Sequence, residues 1–334
     1  MSSHVANAIM LQGEHPATWP WGEGDAQLPW RAPESPPDPV IAPDLLAVDE
    51  AGTWLATTEA LGLWRAGRDG AAVRRVDLQG PMDAAAGFGI GRVVAVAAGG
   101  QHAAVVFIEH EGPKGLTRWL LHVAAGSSPS APVKLTWPRS GDMPNTMEVA
   151  AGYVCVRTAA STMVFRPTGR LARRWPCNGV MLEVGLLVEG EPPHLLSGAA
   201  SDPVVLNASP APVQGRWISG DGHRSVLAYG GREAPGPEDE GAGAVVWCEV
   251  VEVDPESRCL LHTGRVRVPM AASSLTGDVE ASGGGAAPAR AAFILGTFTF
   301  GPDGAVYALE HAPDGCRLWR WPCQPRHPRP RTGS

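Results

Sequence analysis

The sequence predicts an all-β fold: a single β-propeller of about six four-stranded blades, with seven as the alternative, its ring closed by an N-terminal strand. Three observations carry this. Short runs of alternating apolar and polar residues succeed one another along the chain, separated by turn residues. Six such groups fit between residues 44 and 322, about 45 residues each, which is the period of a propeller blade. Apolar stripes of i, i+3, i+4 spacing are almost missing, so little helix is expected.

Composition agrees. The chain has 334 residues, and 44% of them are hydrophobic, enough to bury a substantial core. Its 41 Gly and 32 Pro fall between the apolar runs rather than replacing them, as many short strands and tight turns require. The formal charge of −7 disfavours nucleic acid as a partner. No run approaches the 18 apolar residues of a membrane span. The first residues lack a basic region followed by a long apolar core, and the six Cys include no C-x-x-C pair. A cytoplasmic location follows as the expectation.

In chain order, residues 1–43 form a Pro/Trp-rich arm. Three Trp within twelve residues (Trp19, Trp21 and Trp30) do not stand comfortably in water. They pack on the body or await a partner. Two stretches then match landmark for landmark: LLAVDEAGTWLATTEALGLWRAG (45–67) and FTFGPDGAVYALEHAPDGCRLWRWP (298–322). Each has an alternating strand, an acidic-Gly turn, a second strand, a short turn, and a third strand carrying Leu-Trp-Arg. Gly and Asp suit such turns because they tolerate positive φ. Weaker copies span 93–138, 147–176, 180–208 and 216–269, and several units end in a Pro that suits an edge strand. After Pro322 the chain reads QPRHPRPRTGS, which cannot be a strand. Residues 323–334 are therefore read as a disordered basic tail, the propeller as 44–322, and the last blade as one strand short. The missing strand is expected from Ala8–Gln12 or Pro39–Ala42, since closure removes an aggregation-prone edge.

The FTFGPDG–AVYALEH–CRLWRWP run and the 45–67 stretch resemble the first three strands of WD-repeat propeller blades. Arg65 and Arg320 stand where the Asp of that family's Trp-Asp pair would be, and its Gly-His dipeptide is also missing. The resemblance implies a rigid ring whose loops bind protein.

Candidate sites are few. Glu238, Asp239 and Glu240 form an acidic insertion suited to a basic partner surface, and Trp19, Trp21 and Trp30 could supply aromatic anchors. His102, His110 and His122 share one unit but lack metal-ligand spacing. Glu310, His311 and Asp314 follow a strand in the last unit; gluconolactonase-type propellers, which this turn and strand resemble, hold a divalent cation with Glu, Asn and Asp at the axis. No G-x-S-x-G elbow occurs, and GFGIG (87–91) reads as a linker between blades rather than a phosphate loop. The tail's Arg326, His327, Arg329 and Arg331 alternate with Pro. No catalytic residue, cofactor or metal ligand is assigned. A non-enzymatic protein-interaction scaffold is the leading reading. A metal-dependent lactonase or hydrolase with axial carboxylates, and a structural subunit tethered by its arm, are the alternatives.

Overall fold

A computed structural model of the chain describes residues 11–22, 24, 27–30, 42–67, 70, 72–99, 102–138, 143–150, 152–182, 185–188, 193–196, 204–205, 207–208, 215–220, 224–233, 244–254, 259–270, 292–293 and 298–323. The first strand, β1 (Glu14–Trp19), belongs to the last sheet. Blade one follows as a meander of β2 (Leu45–Asp49), β3 (Gly52–Thr57), β4 (Gly62–Gly67) and β5 (Val73–Val76). A short helix, α1 (Gln79–Ala86), leads to blade two: β6 (Ile90–Ala98), β7 (Ala103–Gly112), β8 (Gly115–Ala124) and β9 (Val133–Lys134). Blade three is β10 (Pro144–Ala150), β11 (Tyr153–Thr158), β12 (Thr162–Phe165) and β13 (Leu171–Trp175). Blade four is β14 (Gly179–Leu182), β15 (Gly185–Val188), β16 (His194–Leu196) and β17 (Val204–Val205). The sequence groups the next piece, β18 (Asn207–Ala208), with blade four. It crosses instead to blade five and pairs parallel with its outer strand. Blade five comprises β19 (Gly215–Gly220), β20 (Arg224–Glu233), β21 (Ala244–Asp254) and β22 (Cys259–Met270). Blade six comprises β23 (Ala292–Phe293) and β24 (Thr299–Phe300), both on β25 (Val306–Ala312), then β26 (Gly315–Trp321) and finally β1.

The innermost strands touch in cyclic order: β2 meets β6, β6 meets β10, β10 meets β14, β14 meets β19, β19 meets β24, and β24 returns to β2. The ring is a closed six-bladed propeller, as the sequence predicts. Numbering each blade's strands a to d from the axis outward, the a–b and c–d turns lie at one end of the ring. The b–c turns and d–a crossings lie at the other, called here the crossing end.

Alternation explains the packing, because successive side chains of a strand face opposite neighbours. Trp54, Leu63 and Ala56 of blade one join Val106, Ile108 and Leu121 of blade two, with Met82 of α1 buried among them. Phe107 and Leu120 on the other face of blade two pack with Val156 and Phe165 of blade three. Further clusters join blade four to five, five to six, and six to one. The seam between blades three and four is bridged by polar groups: the Thr162 hydroxyl accepts from the Gly179 N–H at 3.0 Å, and Glu148 Oε2 accepts from the Met181 N–H at 3.1 Å.

Closure comes from the N-terminus, but not from either expected segment. The strand that pairs with β26 is Glu14–Trp19, with Ala17 opposite Leu318 and Trp19 opposite Cys316. It suits the edge because only Ala17 and Trp19 face inward, while its first three residues are exposed. The Ala8–Gln12 segment serves a different blade at its described end: the Leu11 N–H donates to Arg265 O of β22, 2.9 Å away. Of Pro39–Ala42, only Ala42 lies within the described residues, buried at the approach to blade one.

The matched acidic-Gly turns prove unequal. Gly304 has φ of 73°, the left-handed geometry that favours glycine. Gly52 does not; it is needed for close approach, since a Cβ there would lie 2.2 Å from Ala66 O. The helix α1 was not read from the sequence. Its first turn is held by Asp77, whose Oδ1 accepts from the Gln79 and Gly80 N–H groups. The acidic insertion with Glu238, Asp239 and Glu240, the Gly/Ala-rich 274–290 segment, and the basic tail from 324 lie outside the described residues.

Candidate interaction face

Of the five buried carboxylates among the described residues, four are engaged by Arg or Trp donors, and the fifth, Glu252 on β21, has its Oε2 without a hydrogen-bond partner there. Asp49 accepts from Trp54 Nε1 at 2.7 Å and from Arg65 Nη2 at 2.6 Å. Glu109 is held between Arg92 Nη2 and Arg118 Nε, both at 2.8 Å. Glu148 pairs with Arg157 Nη2 at 3.1 Å; burial pushes its pKa up, and the guanidinium opposes that rise. Glu310 accepts from Trp319 Nε1 at 2.6 Å, with Arg317 beside it at 3.7 Å. A carboxylate already saturated by Arg and Trp donors is a poor base or metal ligand. The buried thiols offer no nucleophile either: burial raises Cys155 to about 12 and Cys316 higher still.

The structure separates the residues that sequence proximity had grouped. His102 sits in an a–b turn with φ of 64°, His122 lies half-buried on β8, and His110 is buried near the far end of β7. Glu310 turns toward Trp319, while the next residue, His311, faces the opposite side and donates from Nε2 to Pro43 O at 2.7 Å. Asp314 is exposed and bonded to Arg317. Among the described residues, no three His, Cys, Asp or Glu side chains gather as a metal site would require. No helix among them is long and apolar enough to cross a membrane.

The arm's Trp residues divide. Trp19 is wholly buried between blades six and one, among Leu46, Trp64, Leu309 and Leu318. Trp21 and Trp30 lie half-buried at the crossing end. Trp21 Nε1 donates to Ala312 O at 2.8 Å, in the b–c turn of blade six. Both indoles meet His311 edge-on, with centroids 5.3 and 5.6 Å away. Enclosure by these rings drives the His311 pKa down to about 4, against the raising effect of Pro43 O.

A second corner of the crossing end was not singled out as a binding site from the sequence. Phe88 lies in the crossing into blade two, Ile90 at the start of β6, Leu116 at the b–c turn of that blade, and Met143 at the crossing into blade three. All four are exposed. The register sets Ile90, Glu111 and Leu116 in one rung, and the next rung on that face is Arg92–Glu109–Arg118. Arg118 Nη2 lies 4.0 Å from Met143 Sδ, which ties the corner to blade three. The signal available in the sequence was Phe and Ile alternating with Gly in GFGIG, where a linker would usually be polar.

No family model matches the chain, and no curated protein matches it. The chain is similar in fold to solved β-propellers. The WD40 domain of Neurospora crassa Pan2 covers 95% of this chain and is covered over 98% of its own length, with 10% identity and a TM-score of 0.39. A gluconolactonase from Xanthomonas campestris aligns over 96% of this chain and 98% of its own, with 15% identity and a TM-score of 0.41. The Malassezia sympodialis allergen Mala s 1 aligns over 84% and 92%, with 8% identity and a TM-score of 0.45.

Proposed function

We propose that this chain is a non-catalytic protein-interaction scaffold that meets its partners through the crossing end of the ring. The observation that carries this is where exposed apolar and aromatic surface is left. Trp21, Trp30, Phe88, Ile90 and Leu116 gather at that end, whereas the buried acids Asp49, Glu109 and Glu310 are engaged by Arg or Trp donors. Exposed apolar surface concentrated at one end is costly to leave in water, and marks contact surface. Trp21 and Trp30 are proposed as aromatic anchors of one contact. Glu238, Asp239 and Glu240 are proposed as a separate acidic contact for a basic surface.

The test is cross-linking of the tagged full chain in native lysate, with the linked residues mapped by mass spectrometry. Intermolecular links should concentrate on the crossing end. Links spread evenly over both ends, or a purified chain that hydrolyses simple lactones in a divalent-ion-dependent way, would overturn the reading.

A further inference from the structure

Of the six large apolar side chains exposed among the described residues, four (Phe88, Ile90, Leu116 and Met143) share the blade-two corner. The chain builds this corner deliberately. A Cβ on Gly89 would lie 2.4 Å from His110 Cε1 and 2.5 Å from Glu111 O, and one on Gly91 would lie 2.8 Å from Leu61 Cδ1. Glycine at these positions lets the backbone press flat on the ends of blades one and two. The residues flanking Gly89 then point away, which leaves Phe88 92% and Ile90 80% exposed.

We infer that this corner is a two-fold contact between two copies of the chain. The inference rests on reading the crossing end as the contact face, and it names the occupant of one part of it. An isologous contact needs a patch that is complementary to itself in shape and in charge. This patch carries protruding Phe88 and Ile90 next to bare positions, because an added Cβ at Gly87 or at Gly115 would meet nothing within 4 Å. It also carries exposed Glu111 and exposed Lys114 on either side of the β7–β8 turn. A two-fold axis through the turn lays the Phe88 ring of each copy over the glycines of the other, and sets each Glu111 against the other copy's Lys114. Four exposed apolar side chains and their polar rim offer roughly 500 Å² per copy, so the pair buries about 1,000 Å², the lower bound for a specific interface. A reversible dimer of modest affinity is the expected product.

Sedimentation velocity on the full chain over rising concentration tests this. The wild type should show a monomer–dimer equilibrium. F88S/I90S should raise its dissociation constant more than about tenfold, with an unchanged circular dichroism spectrum and thermal midpoint, since neither side chain is buried. E111K and K114E should each weaken association, and E111K/K114E together should restore it, as only a self-pairing surface requires. A wild type that stays monomeric at its highest soluble concentration overturns the inference, as does a dimer indifferent to F88S/I90S. If the wild type is monomeric but F88S/I90S removes crossing-end cross-links to other proteins, the dimer falls and the contact face stands. If those links are unchanged too, this corner is lost from the contact face as well.

Discussion

Arg65 lies directly opposite Trp54 across the β3–β4 pair, its guanidinium carbon 4.6 Å from the indole centroid and its Nη2 2.6 Å from Asp49. Asp49 also accepts from the indole Nε1 and from the Ala51 and Gly52 N–H groups, and is only 4% exposed. Blade six repeats the plan: Tyr307 faces Arg320, and both bond to Asp303 of the a–b turn. Where the resembling WD repeats place an Asp on strand c, this chain places Arg there and draws the acid from the a–b turn.

The two triads differ in burial, and that sets a first prediction. D49A removes the acceptor of four donors in a closed site and should cost about 3–5 kcal/mol. D303A acts at a half-exposed carboxylate whose pairs are screened by water, and should cost about 1 kcal/mol or less. Urea denaturation of both variants at neutral pH measures the difference. Equal losses would refute the idea that blade one's triad is the structural one.

Because β1 is the outer strand of blade six, the arm is part of the ring. Trp19→Ala empties a fully buried indole site and should cost about 3–5 kcal/mol. Deleting residues 1–43 should expose the β26 edge and abolish cooperative unfolding, with aggregation as its visible sign. A truncated chain that melts cooperatively near the wild-type temperature would mean that the arm is only a tether.

The repeat was legible in the sequence because strand periodicity is local: one buried face per strand shows directly as alternation. Blade two was readable from VVAVAAGG through PVKLTWP for that reason. The closing strand was harder to place, because its partners Leu318 and Cys316 lie some three hundred residues away, and EHPATW shows only two inward residues. Nothing local separates it from AIMLQ, which is more apolar. The candidate face was legible only in part. Trp21 and Trp30 drew notice by composition, but that Trp19 is buried while its neighbours lie at the surface depends on where blade one packs. The GFGIG stretch reads as a linker, and only the positions of His110 and Leu61 beneath Gly89 and Gly91 turn Phe88 and Ile90 outward.

The Glu148–Arg157 pair predicts non-additivity. Both side chains are almost wholly enclosed, and Glu148 also receives the Met181 N–H of the next blade. E148A strands a buried guanidinium and should cost about 3–5 kcal/mol. E148M/R157M removes both charges while keeping volume, and should cost less than E148A alone. A double variant whose loss equals the sum of the two single losses would show that the pair is not coupled.

His311 gives a pH dependence whose sign follows from burial. Its folded pKa is pushed from 6.5 down to about 4. The unfolded imidazole takes up a proton near pH 6.5, while the folded one resists until about 4, so the unfolded state binds more protons in between. Stability contributed by the neutral ring is therefore fully present above about pH 6.5, is lost progressively as pH falls toward 4, and is level below that. The half-buried Asp44 and the buried Glu148, both with raised pKa values, act with the opposite sign, their contribution falling as pH rises. These contributions are common to the wild type and an H311Q variant and cancel in the difference. H311Q keeps an amide able to bond Pro43 O but has no titratable ring. Its unfolding free energy, measured by urea titration at several pH values, should fall less steeply than the wild type's between pH 6.5 and 4. Parallel curves across that window would mean that the ring is solvated, and that Trp21 and Trp30 do not enclose it in solution.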